Sequence, residues 1–188
     1  MAEPSLVPSE VEGRTRGVPA PAPNTRNRLI GLTLAALIFA ADQGMKWFVI
    51  NFLQLRERGV FEVVSFFDFR WVENYGVSMG FLTASSDTGR WLLVALTGLI
   101  SIAVLVWLWG EKRREDAIAL GLVLGGALGN IVDRARFGFV VDYADLHFGE
   151  WRPFLVFNVA DAAITIGVLL LLVRALLTHD KKPPRKEV

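Results

Sequence analysis

The stretch F-L-V-F-N-V-A-D-A-A-I-T-I-G-V-L-L-L-L-V, Phe154–Val173, carries one charge, Asp161, in twenty residues. That is the length an α-helix needs to cross a hydrocarbon core. Three more apolar blocks lie upstream. Leu29–Leu53 is interrupted by Asp42 and Lys46, Trp91–Trp109 carries no charge, and Ala117–Val132 runs directly into Asp133 and Arg134. The third block is short unless it continues toward Phe139. The chain is 53% hydrophobic, which a soluble domain can reach, so the distribution decides: apolar residues form blocks and charges sit between them. The rest of a 188-residue chain cannot cover four such blocks, and the reading is an all-α polytopic membrane protein with four transmembrane helices.

The flanks orient the helices. Arg14, Arg16, Arg26 and Arg28 precede the first block, Lys112, Arg113 and Arg114 separate the second and third, and Lys181, Lys182, Arg185 and Lys186 follow the fourth. With four spans these segments share one side, and the positive-inside bias makes it cytoplasmic. The loops at about 54–90 and 135–153 then face outward. Residues 1–28 are rich in Pro and Ala without periodicity and read as a disordered cytoplasmic tail. No basic start leads into an apolar run with a cleavage site, so this is not read as a signal peptide. Residues 29–178 form the helical domain and 179–188 a basic cytoplasmic tail. Within the first outer loop, V-F-E-V-V-S-F-F-D-F-R-W-V at Val60–Val72 sets Phe61, Val63, Phe67, Phe69 and Trp71 at period two. One or two short strands with an apolar face follow from that spacing. The face either rests on the membrane surface or holds an acyl chain, or else packs as a small sheet on the helix ends. Residues Gly76–Leu82 read as a short interfacial helix.

Composition excludes several chemistries. There is no cysteine, which removes disulfides, thiolate catalysis and cysteine-ligated metal. His147 and His179 stand apart from other ligands, so no metal site is expected, and His147 reads as an ordinary loop residue. No basic stripe with interleaved aromatics points to nucleic acid.

The topology gathers the polar residues. Asp42 and Lys46 fall in the outer half of the first helix, Asn130, Asp133 and Arg134 at the outer end of the third, and Asn158 and Asp161 at the outer start of the fourth. Asn74 and Asp142 belong to the outer loops. Ionisable groups at membrane depth are costly and face a partner or a wet cavity. Asp42 and Lys46 are i, i+4 and read as a structural ion pair. Asp133 with Arg134 reads as a helix-end fixture, and Asn158 as a cap or an interhelical hydrogen bond. Gly121, Gly125, Gly126 and Gly129 allow close helix packing. Two neighbouring carboxyl groups share a proton, because both cannot ionise cheaply. The ionised one then deprotonates water while the other polarises a carbonyl, with no covalent intermediate, metal or cofactor needed. The residues alone leave four acids as candidates, with Asp161 foremost.

The segments D-Q-G-M-K at Asp42–Lys46, N-Y-G-V-S-M-G-F at Asn74–Phe81, G-G-A-L-G-N-I-V-D-R at Gly125–Arg134, F-G-F-V-V-D-Y at Phe137–Tyr143 and F-N-V-A-D-A-A-I at Phe157–Ile164 occur in this order. In them the chain resembles the bacterial lipoprotein signal peptidases (signal peptidase II), a family of membrane aspartic peptidases. The resemblance spans about Leu29 to Val173. It implies Asp142 and Asp161 as the catalytic pair, with Asp42, Lys46, Asn74, Gly76, Asn130, Asp133, Arg134 and Asn158 supporting site or substrate. It implies hydrolysis of one peptide bond in a diacylglyceryl-modified prolipoprotein, just before the lipidated cysteine. It also implies a four-helix bundle in the bacterial inner membrane, with a small extracytoplasmic β-cradle and a short helix over the site. The expected partners are prolipoproteins and membrane lipid, not nucleic acid, and the expected state is a monomer without cofactor. The Pro/Ala-rich start is longer than the family pattern. Two rivals remain. A proton-relay or transport protein predicts polar residues strung across the whole span; a non-catalytic scaffold or lipid-binding protein predicts that Asp142 and Asp161 are dispensable.

Overall fold

The computed structural model describes residues 25–76 and 87–179. Among them four helices are long and apolar enough to cross a membrane. Helix α1, Thr25–Trp47, continues through a π-helical turn, Phe48–Phe52, and is followed by a short α2, Leu55–Arg58. Helices α3 (Asp87–Gly110), α4 (Arg114–Phe137) and α5 (Val159–His179) complete the bundle. Hydropathy tracks position in it. The best windows of α3 and α5 average 2.5 and 2.2, and these helices expose broad apolar faces; α4 averages only 1.4 and lies in the middle, largely buried. The less apolar helices are those that carry polar groups inward.

Lipid tails are as apolar as leucine, so helices in a bilayer are held by close approach and polar contacts rather than by the hydrophobic effect. The glycines of α4 provide that approach. Gly121 packs on the backbone of Gly31, Gly125 on Ala35 and Gly129 on Asp42, a stripe with four-residue spacing facing α1. Gly126 faces Ala160 of α5 in the same way, and a Cβ at any of these positions would collide. Toward the opposite end, where α3 finishes and α4 starts, Ala35, Leu108, Ala117, Leu120 and Leu124 close the bundle, and Arg174 of α5 pairs with Asp116 of α4.

The helix bounds differ from expectation in instructive ways. α1 begins at Thr25, four residues before Leu29. α4 runs past Val132 to Phe137, keeping Asp133 and Arg134 helical, and ends on Gly138 at φ 88°, whose N–H returns to the Arg134 carbonyl. α5 starts at Val159 rather than Phe154. Phe157 instead exchanges backbone hydrogen bonds of 2.8 and 3.1 Å with Ala144.

A three-stranded antiparallel sheet among the described residues caps the end of the bundle where α4 finishes and α5 starts, in the order β1 (Val60–Val64), β2 (Phe67–Asn74), β3 (Val140–Leu146). Phe61 pairs with Phe69, Val72 with Asp142, and Asn74 with Val140. Phe61, Phe67, Phe69 and Trp71 pack with Val49, Leu53, Leu55 and Tyr143. The apolar face is thus a sheet seated on the helix ends, while Val63 stays 46% exposed. Of the helix expected over 76–82, residues 77–82 lie outside the described residues.

Candidate active site

Two acids are locked to one cation. Lys46 Nζ lies 2.7 Å from both Asp42 Oδ2 and Asp133 Oδ2, and all three side chains are at most 3% exposed. The i, i+4 pair expected in α1 is there, and Asp133 of α4 joins it, pairing across helices as a residue that cannot face its chain neighbour Arg134 must. Each acid also accepts a peptide N–H: Asp42 Oδ1 from Ala160 at 3.0 Å, and Asp133 Oδ2 from Val141 at 3.0 Å. Gln43 Nε2 donates to Asp133 Oδ1 at 3.0 Å and Asp42 Oδ2 at 3.2 Å. The sequence reading passed over Gln43, although its i, i+3 spacing to Lys46 sets both on one helix face.

Asp161 sits in the first turn of α5, where its carboxylate faces the positive end of the helix dipole. Asn158 Oδ1 accepts the Asp161 N–H at 2.8 Å, and Asp161 Oδ2 accepts the Asn158 N–H at 3.3 Å. This is the reciprocal pattern of a capping box. Asn158 Nδ2 donates to Asp142 Oδ1 at 2.7 Å. Both sequence readings of Asn158 therefore hold, since one amide caps the helix with its oxygen and reaches Asn130 of α4 at 3.4 Å with its nitrogen. Asn130 Nδ2 donates to Asp161 Oδ1 at 2.9 Å, and Asn74 Nδ2 to Asp142 Oδ2 at 2.9 Å. Asn74 is steadied by the Gly76 N–H, which reaches its Oδ1 at 2.9 Å from a backbone at φ 91°. Arg134 lies within electrostatic range of Asp161, Asp142 and Asp133, but its buried Nε has no hydrogen-bond partner.

Asp142 and Asp161 thus accept hydrogen bonds from neutral donors on both oxygens, and among the described residues neither has an ion-pair partner. Asp142 is 2% exposed. Burial, and then the neighbouring Asp161, push its carboxyl up from 3.8 to about 7, against the opposing pull of the Asn74 and Asn158 amides. A pair in that state holds one proton near neutrality and can act as acid and base together. Asp161 also borders an apolar groove of about 250 Å³ lined by Phe154, Leu155, Phe157, Ala162, Thr165 and Ile166.

Of the residues singled out in the sequence, Asp42, Lys46, Asn74, Gly76, Asn130, Asp133, Asp142, Asn158 and Asp161 form one hydrogen-bonded network. Arg134 joins it only through its charge. His147 is more than a loop residue: its Nε2 lies 3.0 Å from Asp68 Oδ2, between the end of β3 and β2.

Residues 34–177 match the family model described as signal peptidase (SPase) II. The chain is 58% identical to a lipoprotein signal peptidase of Rhizorhabdus wittichii over 162 residues, covering 86% of this chain and 94% of that one. It is 56% identical to one of Sphingopyxis alaskensis over 151 residues, covering 80% and 87%. A solved bacterial membrane enzyme superposes with a TM-score of 0.67 at 29% identity, covering 84% of this chain and 93% of its own.

Proposed function

The chain belongs to the signal peptidase II family, and from that premise we propose that it cleaves diacylglyceryl-modified prolipoproteins just before the lipidated cysteine, using Asp142 and Asp161 as an aspartic dyad. It is a peptidase, a multi-pass protein of the bacterial inner membrane that removes signal peptides from lipoproteins.

The observation that carries the dyad is the contrast in partners: two outer-face acids share Lys46, while Asp142 and Asp161 have, among the described residues, amides alone. In the mechanism, the pair holds one proton. The ionised carboxylate takes a proton from water, and the resulting hydroxide attacks the scissile carbonyl. The protonated carboxyl donates a hydrogen bond to the carbonyl oxygen as negative charge develops there. When the tetrahedral intermediate collapses, the C–N bond breaks and the dyad returns a proton to the departing amine. Asn74, Asn130 and Asn158 fix both carboxylates beforehand, so little reorganisation accompanies the reaction. Because the two groups titrate as a unit, the pair rather than one residue is the acid–base catalyst.

The apolar groove beside Asp161 supports a substrate with a greasy flank, as a lipidated cysteine or an apolar signal segment would present. Lys and Arg near the helix ends support cytoplasmic termini and a dyad near the outer face. A proton-relay reading is not favoured. The buried acids of the bundle and its cap cluster at the outer end, and the apolar core around Leu108 and Leu120 offers no onward partner.

The test is incubation of the purified protein with a diacylglyceryl-modified prolipoprotein and with its unmodified precursor. Release of signal peptide from the modified form alone is expected. Proton or solute flux in vesicles without any cleavage would overturn the reading.

A further inference from the structure

The two acids paired with Lys46 grip the chain at equivalent points. Asp42 accepts the N–H of Ala160, the residue immediately before Asp161, and Asp133 accepts the N–H of Val141, the residue immediately before Asp142. Each dyad carboxylate is thus tethered one peptide unit away. The tethers meet on α1, where Lys46 joins the two acids at 2.7 Å each and Gln43 spans the same pair with one amide. One turn of α1 therefore clamps the N-terminus of α5 to β3, the two elements that carry the dyad.

We propose that Gln43 and Lys46 are positioning residues that set the separation of the Asp142 and Asp161 carboxylates, and with it the rate of the chemical step rather than substrate affinity. The inference rests on the aspartic dyad proposed above. Neither side chain hydrogen-bonds to Asp142 or Asp161, and neither lines the groove beside Asp161. Their effect has to pass through the Ala160 and Val141 peptides, or from Lys46 Nζ through Asn130 Oδ1 at 3.4 Å to the Asn130 amide on Asp161. Stability alone is a weak reason for such a cluster, since well-packed apolar residues often replace a buried ion pair without loss. What apolar residues cannot replace is the hydrogen-bonded grip on two particular peptide groups. A reacting pair tolerates little error in that placement.

Gln43→Met tests this, because it keeps the side-chain length and leaves Lys46 paired with both acids. The expected result is a kcat lower by about 10- to 100-fold, with KM for a diacylglyceryl-modified prolipoprotein and the thermal unfolding of the detergent-purified protein nearly unchanged. Should Gln43→Met not fold, Gln43→Asn, which keeps the amide but shortens its reach, carries the same expectation. Combination variants separate positioning from plain packing. Gln43→Met should add little to Asp133→Asn, which already releases the β3 tether. It should multiply the loss caused by Asn74→Ala, which holds Asp142 from the other side. A wild-type kcat in the Gln43 variant, a loss confined to KM, or a loss that tracks the unfolded fraction overturns the positioning role. A wild-type protein that leaves the substrate uncut overturns both claims; one that cuts it beside an equally active Gln43→Met overturns this one alone.

Discussion

Two pairs of acids crowd the sheet-capped end of this bundle, and the fold treats them in opposite ways. Asp42 and Asp133 share an ammonium at 2.7 Å and each takes a peptide N–H. Among the described residues, Asp142 and Asp161 receive amide donors alone. Under the proposed dyad, the difference separates structure from chemistry. A carboxylate held by charge-assisted bonds to a cation is committed to that partner and fixed in place by it. A pair without a cation keeps a proton between its members and can both donate and accept. Position at one end of the bundle is common to all four acids; the identity of their partners divides them.

That contrast is broken or sharpened most strongly at Lys46. Lys46→Met leaves two buried carboxylates facing each other, and a loss of about 3–5 kcal/mol in stability is expected, as for other buried pairs deprived of one partner. Asp142→Asn should leave stability equal or improved, because it removes a repulsion instead of a partner. Unfolding in detergent compares the two, and equal losses would erase the distinction.

Asn158→Ala comes next. It removes the cap of α5 and the donor to Asp142 together, so about 1 kcal/mol of stability should go with the cap. Cleavage should fall much further than that loss explains, by roughly 10- to 100-fold.

The pH dependence has a definite sign. The Asp142 carboxyl titrates near 7 in the folded protein, against an ordinary value of 3.8. Between about pH 4 and pH 7 the folded state therefore binds more protons there than the unfolded state. The contribution of Asp142 to stability declines as pH rises through that window and levels off above it. Asp142→Asn should remove this slope. Cleavage should weaken above about pH 7 as the pair loses its shared proton. A contribution that grows with pH would contradict the arrangement.

The smallest effect is expected away from both pairs, at Asp145 on the sheet. Burial pushes the Asp145 carboxyl up, but Arg70 and Arg152 outweigh it and hold the group below its usual range. Arg152 is 41% exposed and Arg70 remains at 2.7 Å, so Arg152→Ala should cost less than about 1 kcal/mol and leave cleavage unchanged.

Much of this was legible in the sequence, for physical reasons. Twenty apolar residues around one Asp declare a span, and charge bias then aligns the polar groups of three helices at one depth. The Asp42–Lys46 pair follows from helical spacing alone. What escaped is what depends on distant partners. V-V-D-Y-A-D-L is a strand because it pairs with β2, about seventy residues earlier, and Asp142 reaches Asn74 only through that pairing. The start of α5 was read five residues early because Phe154–Phe157 is as apolar as the helix; Asn158 and the Phe157–Ala144 bridge set the real boundary. The choice of Asp142 over Asp42 and Asp133 came from family resemblance, since spacing within one helix does not reveal that Asp133 crosses to Lys46. Gln43, uncharged and lying between Asp42 and Lys46 in the chain, carries no signal of its own in the sequence.

The most direct test compares Asp142→Asn, Asp161→Asn, Asp42→Asn and Asp133→Asn side by side, as cleavage rates on one diacylglyceryl-modified prolipoprotein, each normalised to folded protein. The first two should lose more than about 10³-fold while remaining folded, as expected when members of a catalytic unit are removed. The last two should be impaired yet still release signal peptide. Undiminished cleavage by Asp142→Asn or Asp161→Asn would contradict the dyad.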